Sequence, residues 1–218
     1  MIVHDCRQYT DSWWNVRRGV PTASEATRIV TPAKWQVSSQ AEAYACELVA
    51  QEYDHDYGQQ DEYITAAMRN GRILEPASRR FYEFEANCDV TEVGFCTTDD
   101  GRFGCSPDAL CGDEGGLELK NPKAATHVKW LVDGVVPAEY LPQVHFSLLV
   151  TQRKWWDFMS FYAGLPPLLV RVYPDEKTLK LAEALESFWK LLSDIRAKVQ
   201  PFVPELVTTN GVVAESYF

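Results

Sequence analysis

Three ionisable side chains near the middle of the chain have the types and spacing of a hydrolytic metal site. The dipeptide Pro107-Asp108 is followed, after nine intervening residues, by Glu118-Leu119-Lys120. Two carboxylates, together with the main-chain carbonyl of Leu119 between them, supply the hard oxygen ligands that Mg²⁺ or Mn²⁺ prefers. A lysine beside the metal can orient or deprotonate an attacking water and can stabilise charge on a phosphate oxygen. The set therefore predicts metal-assisted hydrolysis of a phosphodiester.

The elements around this set must bring the two acids to one edge of a sheet. Side chains alternate along a strand, so Glu118 and Lys120 share a face and Leu119 points into the core. The turn-forming residues 112–116 (GDEGG) fold this strand back on the one that ends near Asp108. A single E-x-K is more often an exposed ion pair on an edge strand, with Asp108 as a turn acid. That alternative stays open on the residues alone.

The rest of the pattern is typical of an α/β domain with a mixed sheet. Residues 39–53 and 62–86 have helical composition, and Pro76 predicts that the second region is two helices. A meander of three short strands is predicted over 90–98, 103–111 and 117–120. After it we expect a buried helix at 138–151 with Pro142 in its first turn, and then strands at 155–162 and 168–173. A helix at 175–199, with an apolar face from Leu179 to Val199, and an irregular tail are expected to follow.

Composition excludes several classes of protein. The chain has 218 residues, of which 46% are hydrophobic and 12% aromatic, so it can form a substantial core and is not disordered. No apolar run is long enough to span a membrane, and the N-terminus is too polar for a secretory signal, so we expect a cytoplasmic protein. The six cysteines show no metal-ligand spacing and are expected to be small buried apolar residues. The net charge of −10 repels nucleic acid unless positive charge is concentrated locally.

Five separated blocks of the sequence resemble one known family. They are WWNVRRGVPTASEA (13–26), NGRILEP (70–76), CSPDALC (105–111), GLELKNP (116–122) and YLPQVHFSLLVT (140–151). The chain resembles the phage lambda exonuclease family, the YqaJ-type viral recombinases or alkaline exonucleases, within the PD-(D/E)xK nuclease superfamily. The resemblance implies a restriction-endonuclease-like α/β fold, with a mixed central sheet flanked by helices. It implies a single domain over 1–218, with a catalytic core at about 66–173, a helical part at 1–65 and the C-terminal helix at 175–199.

The activity implied by the resemblance is that of a Mg²⁺-dependent, processive 5′-to-3′ exonuclease. Such an enzyme degrades one strand of linear double-stranded DNA to 5′-mononucleotides and leaves a 3′ overhang for recombination by single-strand annealing. Family members form homotrimeric rings around DNA and act with a single-strand annealing protein. Two metal ions per site are implied when DNA is bound. In a ring, positive charge is needed only along the channel, and the arginines at 69, 72, 79 and 80 are candidates for it.

The resemblance also implies roles for individual residues. Asp108 and Glu118 match the metal-binding acids, with the Leu119 carbonyl as a further ligand, and Lys120 matches the catalytic lysine. Glu75 and Gln143 match further active-site positions, and Glu75 can help hold a second metal through water. Arg17, Ser24 and Ser106 match residues that receive the 5′-terminal phosphate, and Trp13 matches an aromatic residue near the DNA path.

One departure from the family lies after GLELKNP. The family carries an additional arginine there, but no arginine occurs between Arg102 and Arg153. Lys123, His127 or Lys129 is expected to supply the charge; otherwise the phosphate pocket is weaker.

Two other functions remain as alternatives. One is a metal-dependent DNA endonuclease of the same superfamily, which would cut covalently closed circles. The other is a non-catalytic acidic protein that binds a metal or a partner and releases no nucleotides from DNA.

Overall fold

In a computed structural model of the protein, which describes residues 1–54 and 66–202 and only the backbone at 66–70 and 72, eight strands form two sheets. The larger sheet has the order β2-β5-β6-β7-β8 and the smaller one has the order β1-β3-β4. The strands are β1 (Ile2–His4), β2 (Val90–Thr91), β3 (Phe95–Thr97), β4 (Gly104–Cys105), β5 (Ala109–Cys111), β6 (Gly115–Lys120), β7 (Trp155–Ser160) and β8 (Leu168–Val172). Strands β6 and β7 run parallel and the other pairs antiparallel, which confirms the predicted mixed sheet.

Helices cover both faces of the larger sheet. They are α1 (Asp11–Arg17), α2 (Ala26–Ile29), which follows a 3-10 turn at Ala23–Glu25, α3 (Ala41–Tyr53), α4 (Ala66–Ala86), α5 (Ala124–Asp133), α6 (Leu141–Thr151) and α7 (Glu176–Val199), which runs into a 3-10 turn at Gln200–Phe202. Helix α4 packs on the face that carries Leu117, Leu119 and Met159. Helices α5 and α6 pack on the opposite face, against Trp156 and Phe158. Within the described ranges, no helix combines the length and the apolar character that crossing a bilayer requires.

Helix α6 is buried on nearly every side. Val144 and Leu148 pack against the larger sheet, and Phe146 and Val150 pack into a second core formed with α2, α3, α7 and the smaller sheet. Pro142 lies in the first turn as predicted, where its missing N–H has no helical partner to lose. Because α6 is fixed from both sides, side chains on its first turn keep a constant position over β6.

The predicted meander of three strands was wrong. The segment 90–98 is divided between β2 in the larger sheet and β3 in the smaller one, and 103–111 is divided in the same way between β4 and β5. The first break falls at Gly94, where a Cβ would lie 2.0 Å from the Cys6 carbonyl oxygen. The second falls at Ser106-Pro107, since proline has no N–H to continue a ladder. Asp108 therefore stands where the chain crosses from one sheet to the other.

Two expectations about helices were also wrong. Helix α4 continues through Pro76 as one helix of 21 residues; the predicted start at 62 lies outside the described residues. The Ser78 hydroxyl donates to the carbonyls of Leu74 and Glu75, in the turn next to the proline. On α7 the buried face is rotated from the predicted one, so Leu179 is 67% exposed while Leu181 and Phe188 are buried.

The cysteines agree only in part with their expected burial. All six are free thiols, and Cys96, Cys105 and Cys111 are buried as predicted. Cys6 and Cys88 are half-buried, and Cys46 on α3 is exposed.

Candidate active site

The Glu118 carboxylate is the centre of the candidate site. It lies on β6, is 3% exposed, and points to the face covered by α6. Its Oε1 atom accepts a hydrogen bond of 2.5 Å from Lys120 Nζ and one of 2.7 Å from Gln143 Nε2, which comes from the first turn of α6. Strand alternation thus places Glu118 and Lys120 together, as the sequence predicted, while Leu119 packs under α4 on the other face.

The Asp108 carboxylate is held beside Glu118 by the hairpin of β5 and β6. The main-chain N–H of Asp108 donates to the Leu117 carbonyl at 3.2 Å, and Asp108 Oδ2 accepts a hydrogen bond from the Leu119 N–H at 2.5 Å. Burial raises the pKa of Asp108 well above its ordinary value, and the neighbouring carboxylates of Glu118 and Glu75 raise it further. The positive charge of Lys120 and the Leu119 N–H oppose this only in part. Three carboxylates therefore share one poorly solvated region.

Lys120 is the cation that faces these carboxylates. Burial disfavours its charge, but the carboxylates of Glu118 and Asp108 reverse that effect, so that the pKa of Lys120 is raised above its ordinary value. Its ammonium lies 4.9 Å from the centre of the Tyr140 ring, which adds a cation–π contact. Tyr140 is itself fixed against Trp130 and Phe158.

Glu75 reaches the same region from α4. Burial raises the pKa of its carboxyl group, and the positive charge of Arg79, whose Nη2 donates to Glu75 Oε1 at 2.5 Å, opposes the shift. The charges of Glu118 and Lys120 also act on Glu75, which places it in the electrostatic neighbourhood of β6.

The donor set fits a hard divalent cation. Asp108 uses one oxygen for the Leu119 N–H and Glu118 uses one for Lys120 and Gln143, and no hydrogen bond from a described residue reaches Asp108 Oδ1 or Glu118 Oε2. Within the same ranges, no three His, Cys, Asp or Glu side chains gather into a ready-made metal cluster. A cation here would therefore need the two carboxylates, the Leu119 carbonyl and water, which is the oxygen-rich set that Mg²⁺ accepts.

A second group of predicted residues forms a donor pocket. Arg17 Nη1 donates to Ser106 Oγ at 3.1 Å, and its guanidinium lies 4.2 Å from the centre of the Trp13 ring. Trp13 Nε1 donates to the same Ser106 Oγ at 2.9 Å and to the Gly94 carbonyl. Trp13 is only 5% exposed, so it supports Arg17 and Ser106 and offers little ring surface for stacking. Ser24 is exposed, with its hydroxyl 3.2 Å from that of Thr22.

One cavity of about 840 Å³ joins the two groups. Its lining includes every residue that the sequence singled out for the site: Trp13, Arg17, Ser24, Glu75, Ser106, Asp108, Glu118, Leu119, Lys120 and Gln143. A volume of this order lies within the range of small-molecule binding sites.

The three substitutes considered for the missing arginine do not line this cavity. His127 is fully buried between Ser160 and the Pro166 carbonyl. Lys129 is exposed and pairs with Asp133, one turn further along α5. Lys123 is exposed at the start of α5.

The sequence analysis did not assign three residues to the site: it passed over Gln8 and Tyr140, and it placed Arg79 in a DNA channel. Gln8 Nε2 donates to the carbonyls of Val93 and Pro107, which ties the N-terminal segment to the strand crossing beside Asp108. Tyr140 contacts Lys120, and Arg79 contacts Glu75 and the main chain of Asp108. The i, i+4 spacing of Glu75 and Arg79 is typical of a helical ion pair, so this contact could have been predicted from the sequence. Contacts to main-chain carbonyls that are distant in sequence cannot be predicted in this way.

The mixed sheet is flanked by helices, with Glu118 and Lys120 on β6 and Asp108 directly before the adjacent β5, and this is a fold of the restriction-endonuclease-like type. Residues 12–154 match the YqaJ-like viral recombinase domain. The chain belongs to this family, as its resemblance to lambda exonuclease implied.

Solved structures agree with this assignment. The chain is similar to LHK-Exo, an alkaline exonuclease from Laribacter hongkongensis, with 30% identity, a TM-score of 0.71 and coverage of 89% of this chain and 100% of that one. The complex of LHK-Exo with dAMP gives the same identity, a TM-score of 0.76 and coverage of 88% and 97%. A phage-related exonuclease from Haemophilus somnus 129PT shares the fold at 11% identity and a TM-score of 0.62, over 83% of this chain and 96% of that one. No curated protein matches the chain.

Proposed function

We propose that the protein is a Mg²⁺-dependent 5′-to-3′ exonuclease that degrades one strand of linear double-stranded DNA. The observation that carries the proposal is the single cavity that contains both the Asp108, Glu118 and Lys120 cluster and the Arg17 and Ser106 pocket. Hydrolysis needs the first group, and recognition of a terminal phosphate needs the second. Membership of the YqaJ-like family and the likeness to an alkaline exonuclease support a DNA exonuclease role.

In this mechanism Asp108, Glu118 and the Leu119 carbonyl would hold the metal, and Glu75 would help to hold a second ion through water. When bound, the metal lowers the pKa of a water and neutralises charge that develops on the phosphate. Lys120 donates to the attacking water or to a phosphate oxygen. Gln143 keeps the Glu118 carboxylate turned toward the cavity through its hydrogen bond of 2.7 Å.

The Arg17 pocket sets the 5′-to-3′ direction of degradation. A guanidinium and hydroxyl groups are the donors that a terminal phosphate accepts best. With the new 5′ end held by Arg17, Ser106 and Ser24, the next phosphodiester is positioned over Asp108 and Glu118 after each cut. LHK-Exo forms a complex with dAMP, the kind of 5′-mononucleotide that stepwise hydrolysis would release.

Processive degradation follows if three copies form a ring around the duplex, as the family resemblance implies. The 3′ overhang would then be the substrate of a single-strand annealing protein in recombination. Both steps belong to the proposal and rest on the family.

Digestion of end-labelled duplexes tests the proposal. The substrates are a linear duplex with a 5′ phosphate, the same duplex with a 5′ hydroxyl, and a covalently closed circle, each in Mg²⁺ and in EDTA. We expect mononucleotides from one strand of the linear duplexes, fastest with the 5′ phosphate, and none in EDTA. Cutting of the closed circle would indicate the endonuclease instead. Metal binding without nucleotide release from any substrate would indicate the non-catalytic protein.

A further inference from the structure

Arg79 is a buried cation that no step of the mechanism above uses. It lies on α4 one turn after Glu75, is 8% exposed, and does not line the cavity. Its guanidinium makes three contacts: Nη2 donates to Glu75 Oε1 at 2.5 Å, Nε donates to the Asp108 carbonyl at 3.0 Å, and Nη1 pairs with Glu92. One side chain thus joins an acidic residue of α4 to the main chain of an acidic residue beside β5.

We propose that Arg79 is a positioning residue that fixes Glu75 and Asp108 relative to each other, and so sets the spacing of the metal-binding carboxylates. The proposal rests on the metal-dependent function proposed above. A rigid planar fork suits this task because it holds two acceptors in fixed directions, which a lysine cannot do. Partners that orient metal-binding groups in this way affect metal affinity even though they never touch the ion.

The alternative is that Arg79 only anchors α4 to the sheet. The structure contains a matched control for that role. Tyr82, one turn further along α4, donates to the buried Asp157 at 2.7 Å and also anchors the helix, yet neither residue lines the cavity. Loss of helix anchoring alone would give Tyr82→Phe and Arg79→Gln the same effects.

The test is calorimetric titration of Mn²⁺ into the 218-residue chain without DNA, for the wild type, Arg79→Gln, Arg79→Lys and Tyr82→Phe. We expect Arg79→Gln to weaken Mn²⁺ binding by about 10- to 100-fold, the range for changes to groups that orient metal ligands. Arg79→Lys should fall in between, and Tyr82→Phe should bind as the wild type does. The Mg²⁺ concentration for half-maximal nucleotide release should shift in parallel, with KM for the duplex unchanged.

Wild-type Mn²⁺ affinity in Arg79→Gln would overturn the proposal, as would equal losses in Arg79→Gln and Tyr82→Phe. If circular dichroism shows that Arg79→Gln does not fold, Arg79→Lys decides, and wild-type affinity in that variant is then the contradicting result. A wild type that binds no Mn²⁺ also overturns it. If the wild type binds Mn²⁺ but releases no nucleotides, the proposed exonuclease fails while the titration still decides the role of Arg79.

Discussion

At the scale of single residues, each acid of the site divides its two oxygens between protein and cavity. Leu119 N–H holds one oxygen of Asp108, and Lys120 with Gln143 holds one oxygen of Glu118. This division fixes the directions of both carboxylates before any metal binds, and such preorganisation is what makes a catalytic site efficient. Burial, and after it repulsion from Glu118 and Glu75, raises the pKa of Asp108, and a bound cation would relieve both costs.

Arg17 is the residue that we expect to read the 5′ phosphate. Arg17→Ala should reduce the preference for a 5′-phosphorylated end over a 5′-hydroxyl end by about tenfold to a hundredfold, because a hydrogen bond to a charged group contributes about 1.5–3 kcal/mol. The measurement is the ratio of initial digestion rates on the two duplexes.

Arg18→Ala is the matched control for this prediction. Arg18 has the same side chain but donates to Asn15 and does not line the cavity, so its substitution should leave the ratio unchanged. Equal ratios for the wild type and Arg17→Ala would show that the phosphate is recognised elsewhere.

The sequence indicated the acids and the lysine but not their supporting residues. The spacing of Asp108, Glu118 and Lys120 is that of residues on two segments joined by a hairpin, so their proximity could be predicted. His127 could not be judged in the same way, since the Ser160 hydroxyl and the Pro166 carbonyl that bury it come from distant segments. Arg79 was grouped with a possible DNA-facing arginine cluster, yet the fold turns it inward onto Glu75 and Asp108.

At the scale of elements, α4 and α6 hold the site from opposite faces of the sheet. Helix α6 places Gln143, and its N-cap residue Tyr140, above Glu118, and α4 places Glu75 and Arg79 on the other side. The sequence predicted the burial and the C-terminal end of α6 because its apolar run and Pro142 are local signals, but it placed the start at 138, three residues before Leu141. The prediction of a break at Pro76 was wrong because packing against the sheet keeps α4 continuous. The prediction of undivided strands was wrong because the breaks at Gly94 and Pro107 depend on the chain passing between two sheets.

Tyr82 anchors α4 through a polar contact in the core. Its hydroxyl donates to Asp157, which also accepts two hydrogen bonds from Arg171. Tyr82→Phe should lower the free energy of unfolding by about 1–3 kcal/mol, because it removes one partner of a buried carboxylate. Urea denaturation measures the change, and Tyr162→Phe, a more exposed tyrosine, serves as the control. An unchanged unfolding midpoint for Tyr82→Phe would contradict the anchoring role.

His145 links α6 to the start of α7 and should make stability depend on pH. It is fully buried, its Nδ1 lies 2.8 Å from Thr178 Oγ1, and Asp175 is its nearest carboxylate at 3.8 Å. Burial lowers the pKa of His145, Asp175 opposes that shift and Lys177 adds to it. At a pH between the folded-state and unfolded-state pKa values of His145, the unfolded chain therefore binds a proton that the folded protein does not.

The sign of the effect follows from this difference. As pH falls below about 6.5, the ordinary pKa of histidine, folding loses up to about 1.4 kcal/mol per pH unit, until the folded-state pKa is reached. Thermal unfolding of wild type and His145→Gln between pH 7.5 and 5.5 tests this prediction. The wild type should lose more stability over that range than the variant, and parallel curves would contradict it.

At the scale of the whole molecule, the crossing between two sheets defines the location of the site. The chain crosses between the sheets from β2 to β3 and again from β4 to β5. The second crossing places Ser106 directly after β4 and Asp108 directly before β5, so the donor pocket and the acidic cluster are neighbours by topology. The family resemblance gave the mixed sheet and its flanking helices correctly. The crossing could not be predicted, because the short strands β2 to β5 carry no pattern that assigns them to one sheet or the other.

A ring of three chains should be detectable in solution. Light scattering coupled to size exclusion should give a mass three times that of the 24.8 kDa chain. Because the chain carries a net charge of −10, the ring should hold DNA only where positive charge lines its channel. A monomeric mass at all concentrations would remove the basis for processivity and leave the hydrolytic site intact.

The central claim, a divalent cation held by Asp108 and Glu118 that hydrolyses DNA, is tested most directly by Asp108→Asn on a 5′-phosphorylated linear duplex in Mg²⁺. The variant keeps the shape of the side chain but removes one charged ligand. Nucleotide release should fall by at least about a thousandfold, because several kcal/mol of charge stabilisation depend on the metal. The wild type should be inactive in EDTA. Release at the wild-type rate by Asp108→Asn, or by the wild type in EDTA, would contradict the account.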